Sequence, residues 1–500
     1  MTPPPVETTD RVSDRRALVA IDLGAESCRV SLLRWHGEGA ATHPEIELIH
    51  RLPNGPVFNP DEGPEGTLRW PLDRILSGLK EGLRKAAKAA PEGIRSLAVD
   101  GWAVDYVRLD QDGCTLQQPY CYRDVRTDAS KAHVETLIPP EKHFALSGAQ
   151  PLRINTVYQL VADKLAGSDP RAPWLLLPEY VLHWLGARRI AEYTNATHTG
   201  LVDLATRNWS PTLFEQLGLS IEAAPPIVPA GTTVGKVSGP LAQLAAFADT
   251  NLIAPACHDT ASAIAAITAD LSHTAYIVSG TWSLVGTVVQ EPITSPEAAT
   301  DGFTNQGAAA GGYCFHTNVN GMWILKQCID HWTGKGRTID LPMLIASAAA
   351  ITKIPGIINV DAPPLLLAGK MPERINEELS REGLATIPDQ PGNEAIFARL
   401  IFASLASRYA TVLRNLETLT GRSFQQITIL GGGSRNTLLS RLTQESTGLP
   451  VTAGEAEGST LGNFAVQLAA TEAAKQSRTL SSADVRNWAQ LLTSNTHPTG

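Results

Sequence analysis

The chain has 500 residues, 43% of them hydrophobic and 18% charged. That is too long for one ordinary core, which points to two or three domains, and too apolar for a disordered chain. A formal net charge of −9, without a long basic run, disfavours nucleic acid and anionic membrane as partners.

Six scattered cysteines form no CxxC pair, which argues against a zinc cluster or a disulfide framework and for reduced thiols in the cytoplasm. Residues 1–16 lack the apolar core of a signal peptide and read as a disordered tail. Folding is expected to begin near Ala17. Residues 18–22 (LVAID) read as a buried strand that opens into a tight turn at Leu23-Gly24. Residues 30–34 and 47–52 read as the next two strands, 72–89 as a helix, and 94–100 and 104–109 as further strands. Three antiparallel-type strands, a helix and more strands is the opening order of a ribonuclease-H-like fold. Residues 151–228 read as elaboration of the first domain, and the prolines and glycines between 223 and 240 as boundary punctuation. A second cycle starts at 274–279 (TAYIVS), followed by Gly280-Thr281. Residues 397–419 carry apolar side chains at helical spacing. Residues 426–430 form a strand that runs into Gly431-Gly432-Gly433, with a helix from about Arg435. Beyond 475 the chain reads as weakly structured.

A strand leading into a small-residue turn therefore recurs three times. Glycine lets successive amides point at one place, where they can cradle phosphate oxygens. In the first turn the Asp22 carboxylate can bind Mg²⁺ and Arg29 adds positive charge, although a plain hairpin with a surface ion pair reads as well from this segment alone. Ser279-Gly280-Thr281 suits a phosphate or a simple β-turn. The three glycines at 431–433 suit a closely approaching ligand or tight helix–strand packing. Three such turns spread over both halves favour one nucleotide held between two domains.

The acid–base candidate is Asp259, in ACHDTAS. Phosphorylating a hydroxyl needs a carboxylate that orients the alcohol and takes its proton. The same residue would also cap a helix starting at Thr260. His258 suits a sugar hydroxyl or a satisfied structural role. The stretch Asp100-Gly101-Trp102-Ala103-Val104-Asp105 sets two carboxylates beside an indole, a pairing found in sugar sites, or makes Trp102 simply core.

Segments including VAIDLGAESCRV, LAVDGWAVDYVRLD, EYTNATHTGLVDL, CHDTASAIAA, YIVSGTWSLVG, LGGGSRNTLLSRL and EGSTLGN resemble the FGGY carbohydrate kinases, and within them the L-rhamnulose kinases. The resemblance implies an α/β protein of two ribonuclease-H-like, actin-like ATPase domains around a central cleft: 17–262 binding sugar and 263–475 binding nucleotide, with a tail at 476–500. It implies ATP and Mg²⁺ as cofactors, and a monomer or homodimer. Ala25, Glu26, Ser27, Cys28 and Arg29 match the first phosphate-binding turn, Thr281 a second phosphate contact, Lys326 a nucleotide-site position, and Gly432 the adenosine contact. Asp259 matches the catalytic base. His258, Asp259, Thr260, Asn318 and the backbone at Ala103 match sugar contacts, with Trp102 and Asp105 beside them, and Asp22 helps place Mg²⁺. The implied reaction converts L-rhamnulose and ATP to L-rhamnulose 1-phosphate and ADP in rhamnose breakdown. L-Fuculose, L-ribulose and D-xylulose are the neighbouring substrates. Rival readings are an actin- or chaperone-type ATPase and a catalytically silent sugar-binding relative. Departures from the family pattern are Glu26, Cys28, Gly101, Ala103 and Lys326, where glutamine is expected.

Overall fold

Ala17–Leu23 (β1) is buried along its whole length, so it is a continuous apolar run rather than an alternating one. It pairs antiparallel with Ser27–His36 (β2), which pairs antiparallel with His43–Pro53 (β3). On its other side β1 runs parallel to Ile94–Gly101 (β4). Thr232–Lys236 (β5) and Asn251–Ala254 (β6) complete a sheet of order β5-β6-β4-β1-β2-β3. Helix Leu72–Ala89 (α1) covers it with Ile75, Leu79, Leu83 and Ala86. The computed structural model describes residues 13–62 and 65–494.

The second sheet repeats the plan. Its strands are Thr274–Ser279 (β7), Trp282–Val289 (β8), Phe303–Gly307 (β9), Tyr313–Asn320 (β10), Gln426–Leu430 (β11) and Val451–Ala453 (β12), in the order β9-β10-β8-β7-β11-β12. In each sheet the leading strand has an antiparallel neighbour on one side and a parallel one on the other: β2 and β4 around β1, β8 and β11 around β7. This is the two-domain, actin-like ATPase architecture of mixed α/β class. Asp259–Ala265 (α2) links the sheets, and its Ala263 and Ile264 pack on Tyr276, Cys314 and Leu430 of the second. Trp323–Gly334 (α3), Leu341–Ala350 (α4), Glu394–Thr420 (α5) and Thr437–Thr447 (α6) complete the second half. By length and composition α5 would cross a membrane, but 67% of its apolar window is buried within the fold, which makes it a core helix.

Two further helices return to the first sheet. In Gly458–Lys475 (α7), Asn463 Nδ2 donates to Asp100 Oδ2 (2.6 Å) and Gln467 Nε2 to the Val19 carbonyl (3.1 Å). A Cβ at Gly462 would collide with the Ser262 carbonyl, so glycine permits the close crossing of α2 and α7. The segment beyond 475, expected to be weakly structured, instead holds Ser482–Ser494 (α8). Val485, Trp488, Ala489 and Leu492 recur at helical spacing, and Trp488 meets Trp35 of β2 with ring centroids 6.2 Å apart. Its short period is masked in the sequence by flanking Ser, Thr and Asn. Of the two expected tails, residues 1–12 and 495–500 lie outside the described residues.

The region between β4 and β5 touches both halves. Its core, including Tyr158, Trp174 and Phe214, is continuous with that of the second sheet. It covers the edge strand β9: Asn305 N donates to the Gly148 carbonyl (2.8 Å) and Gly307 N to Thr197 Oγ1 (2.9 Å).

Candidate active site

Asp22 and Asp100 face each other in register at the C-terminal ends of β1 and β4, where open α/β sheets place their ligands. Gly101 follows, and a Cβ there would lie 2.6 Å from the Leu23 Cβ, so glycine is required. The Gly101 amide donates to the Cys257 carbonyl (2.9 Å), which ties the strand end to the residues that open α2. His258 occupies the cap position and makes no side-chain cap bond; Asp259 is the first helical residue. The carboxylate is thus not spent on capping. It accepts from Thr260 Oγ1 (3.1 Å), and 35% of its side chain is exposed.

Burial pushes all three carboxylates up. Asp100 is raised further by Asp22 and Asp259, Asp22 by Asp259, and Arg29 opposes the rise at each. Asp259 reaches about 6. Such a group is ionised at neutral pH yet still basic enough to take a proton. Arg29 lies 3.6 Å from Asp22 and donates to Glu457, which also faces Arg51 at 3.7 Å. Ser459 Oγ donates to Asp22 Oδ2 (2.6 Å). Asp100 Oδ1 is buried without a partner. An anion-rich, all-oxygen corner with an unused buried oxygen fits a hard divalent cation.

The turn after β1 is braced by Asn54, whose Nδ2 donates to the Gly24 carbonyl (2.9 Å) and whose amide donates to the Glu26 carbonyl (2.8 Å). Cys28 points into the core, where burial pushes its thiol up to about 12, so this departure leaves the outward-facing turn unchanged. Glu26 is exposed; Ala25 and Ser27 are half-buried.

At the second sheet the parallel strands β7 and β11 end side by side in Ser279-Gly280 and Gly431-Gly432-Gly433. The fold itself demands two of the three glycines. Gly431 has φ +76°, and a Cβ on Gly433 would collide with the Ser279 side chain. Gly432 differs: a Cβ there would meet nothing within 4 Å. It faces open space, a cavity of about 910 Å³ whose apolar walls include Leu341 and Ile345 of α4 and Leu438 of α6, with Arg435 and Arg441 at its margin. Gly280 lines the same cavity. Thr281, half-buried, adjoins it. Lys326 is not brought in: it is exposed on α3 and paired with Asp330 at 2.6 Å, an i,i+4 pair visible in the sequence.

Among the sugar-side candidates, Asp105 is enclosed. Trp70 Nε1 (2.5 Å), Trp102 Nε1 (3.0 Å) and the Tyr122 amide (3.2 Å) donate to Oδ2, and Gln159 Nε2 donates to Oδ1 (3.0 Å). With no exposed surface, Asp105 holds Trp102 rather than reaching open space. Ala103 is buried and Val104 adopts φ +72°. Thr260 lies one residue from Asp259, whereas Asn318 stands exposed on β10. The participants that sequence reading missed are Asn54, Glu457, Ser459, Asn463 and His198, of which 457–463 lie within EGSTLGN. A separate grouping of His331, Glu373 and Asp389 is already neutralised by Lys335 and Arg337.

Two family models match the chain: the N-terminal domain of the FGGY family of carbohydrate kinases over residues 17–266, and its C-terminal domain over residues 275–471. Among solved structures, a ligand-bound xylulose kinase from Lactobacillus acidophilus superposes with TM-score 0.74 at 15% identity, covering 96% of this chain and 97% of its own. A gluconate kinase from the same organism gives 0.73 at 15%, covering 97% of each chain. Plasmodium falciparum glycerol kinase with ADP gives 0.74 at 13%, covering 96% and 92%. At these identities the structural likeness bears on fold alone.

Proposed function

The chain belongs to the FGGY family of carbohydrate kinases, and from that membership we propose that it transfers the γ-phosphoryl group of ATP to a ketose, L-rhamnulose, at O1. The observation that carries the reading is Asp259: a carboxylate about one-third exposed, free of capping duty, raised to about 6 and grouped with Asp22 and Arg29 at the strand ends. Asp259 orients the O1 hydroxyl and takes its proton as oxygen bonds to phosphorus and ADP departs. His258 and Thr260 hold neighbouring hydroxyls. The adenosine end lies in the cavity beside Gly432, with phosphates reaching Thr281 and the amides of 25–29. Asp22, with Asp100 adjacent, would hold Mg²⁺, which would supply charge neutralisation at the phosphates. Closure of the two halves excludes water, which would otherwise accept the phosphoryl group. The choice of L-rhamnulose over L-fuculose, L-ribulose or D-xylulose rests on the runs EYTNAT, CHDTAS and SGTWSL. The six cysteines are all unpaired thiols, in keeping with a cytoplasmic enzyme acting as monomer or homodimer.

Coupled ADP release against a ketose panel is the test. L-Rhamnulose should give the highest kcat/KM. A different preferred ketose overturns the substrate assignment, and ADP release indifferent to every ketose overturns the kinase reading. ATP-dependent sedimentation as polymer would favour the filament-type rival.

A further inference from the structure

Asp259 lies at one end of a run of contacts that begins in the other half of the molecule. Gln306 Nε2, on β9, is 3.0 Å from His198 Nδ1. His198 Nε2 is 3.0 Å from His258 Nδ1, and the two rings are tilted by 56° with centroids 3.9 Å apart. His258 Nε2 lies 3.3 Å from Asp259 Oδ1. Burial keeps both imidazoles neutral: His258 falls to about 3, and His198 is pushed well below the usual imidazole range by burial first and then by the adjacent His258 and His316. A neutral imidazole carries one N–H, so each ring donates once and accepts once.

The carboxylate fixes the sense of the run. A bare Nε2 on His258 would set a lone pair against the Asp259 oxygen, so the proton belongs on Nε2. Nδ1 is then an acceptor and needs the His198 Nε2–H. That leaves His198 Nδ1 to accept from the Gln306 amide. The reverse sense would turn the Gln306 carbonyl to His198 and present a lone pair to Asp259. Three separate segments must be docked to hold this order: β9, the turn at 197–199, and the residue before α2. The Gly307 amide on Thr197 Oγ1 (2.9 Å) docks β9 on the turn, and the His258 amide on Thr194 Oγ1 (3.3 Å) docks the residue before α2.

We propose that His198 and Gln306 are positioning residues that hold His258 as its Nε2–H tautomer, aimed at Asp259 and at the acceptor sugar, and that they do so only while β9 is docked on residues 193–199. The proposal rests on Asp259 being the base, as set out under Proposed function. The tautomer matters because the single His258 Nε2–H, which faces Asp259 in the empty site, passes to a sugar oxygen when the sugar binds and frees Asp259 to accept from the hydroxyl it deprotonates. The contact across the domain boundary thereby ties readiness of the base to assembly of the two halves.

The test is two-fold. In ¹⁵N-histidine-labelled enzyme, long-range proton–nitrogen correlation should show His258 protonated at Nε2, with the resonance assigned by its loss in His258→Gln. His198→Phe should scramble that tautomer and lower kcat by on the order of 10- to 100-fold, as loss of an orienting hydrogen bond does elsewhere, with the KM for ATP little changed. His198→Gln, which keeps a donor at that place, should restore most of kcat. Gln306→Leu should reproduce the loss in milder form and serves if His198→Phe does not fold. Protonation of His258 at Nδ1 in the parent enzyme, or parental kcat in His198→Phe, overturns the proposal. If the parent enzyme turns over no ketose, the functional reading falls, and the tautomer spectrum alone decides this one.

Discussion

The ends of the two sheets are built from the same strand plan but filled oppositely. At the first, three carboxylates, Arg29 and a set of hydrogen-bonded side chains crowd together, and the glycine at 101 is forced by Leu23. At the second, the ends of β7 and β11 open on a cavity of about 910 Å³ with apolar walls, and Gly432 is not required by any protein contact. One end gathers charge; the other opens on apolar walls, with arginines at the margin. A reaction that moves a proton and a phosphoryl group needs the first, and anchoring a flat, weakly charged part of a ligand needs the second.

The sharpest way to break this comparison is Asp259→Asn. Loss of the proposed base should lower kcat by about 10²- to 10⁴-fold, the usual range for a general base, with ATP binding nearly intact by calorimetry. The same change should stabilise the fold at pH 7. Asp259 is raised from 3.8 to about 6, so the native state binds its proton more tightly than the unfolded chain does. Its contribution therefore becomes unfavourable as pH rises from about 4 to 6, and stays so above that. With a third of the side chain open to solvent, screening reduces the gain to roughly 1 kcal/mol or less. A thermal shift series in which Asp259→Asn is less stable than its parent at pH 7, and equal at pH 4, would reverse that sign.

The next largest effect is on the pH profile. With Asp259 ionising near 6, log kcat/KM should fall with unit slope below that pH, about tenfold per unit, and level off above it. A limb that instead rose toward acid would assign the essential group to the protonated form and contradict the base.

Much of this contrast is legible in the residues. β1, β7 and β11 are continuous apolar runs that end in glycine, and α1 and α5 repeat at helical spacing over several turns, so each announces itself within a short window. Asp259 stands out in the sequence as a single carboxylate among small and polar residues in ACHDTAS. What escapes is long-range. Ser459 reaches Asp22 across 437 positions and Asn463 reaches Asp100 across 363. Asn54 supports a turn thirty residues earlier. No local pattern encodes such pairs. Asp105 misleads for the opposite reason: its partner Trp102 is close in sequence, but Trp70, Tyr122 and Gln159 are not, and together they use up the carboxylate.

At the roomy end the expected effects are smaller and fall on binding. Gly432→Ala and Gly280→Ala fit the backbone without collision, so melting temperatures should hold. A methyl group projecting into the cavity should raise the KM for ATP by on the order of tenfold, the scale of one misplaced methyl in a fitted pocket. Equal KM values would remove the cavity from the nucleotide site. Lys326→Ala is the contrast. An exposed i,i+4 pair is worth about 0.3–0.5 kcal/mol, so both KM and stability should stay close to the parent. A large KM change there would mean that the lysine leaves Asp330 for a phosphate.

The smallest effect on turnover among the buried positions is expected at Val104, between Ala103 and Asp105. Its φ of +72° is unfavourable for a β-branched residue by roughly 1–2 kcal/mol. The conformation is held from outside: Thr156 Oγ1 donates to its carbonyl at 2.7 Å and Gln159 Nε2 at 3.2 Å. Gln159 also donates to Asp105, so the strained turn, the enclosed carboxylate and Trp102 are one unit. Val104→Gly removes the strain but loosens the unfolded chain by about 0.5–1 kcal/mol and gives up a buried side chain worth about 1.5–3 kcal/mol, which leaves a net loss of about 0–3 kcal/mol. If the turn serves only the fold, kcat/KM for the ketose stays at the parental value. If the strain sets the Ala103 backbone against the sugar, KM for the ketose rises in a variant that is still fully folded, which chemical denaturation and steady-state kinetics on the same preparation would resolve.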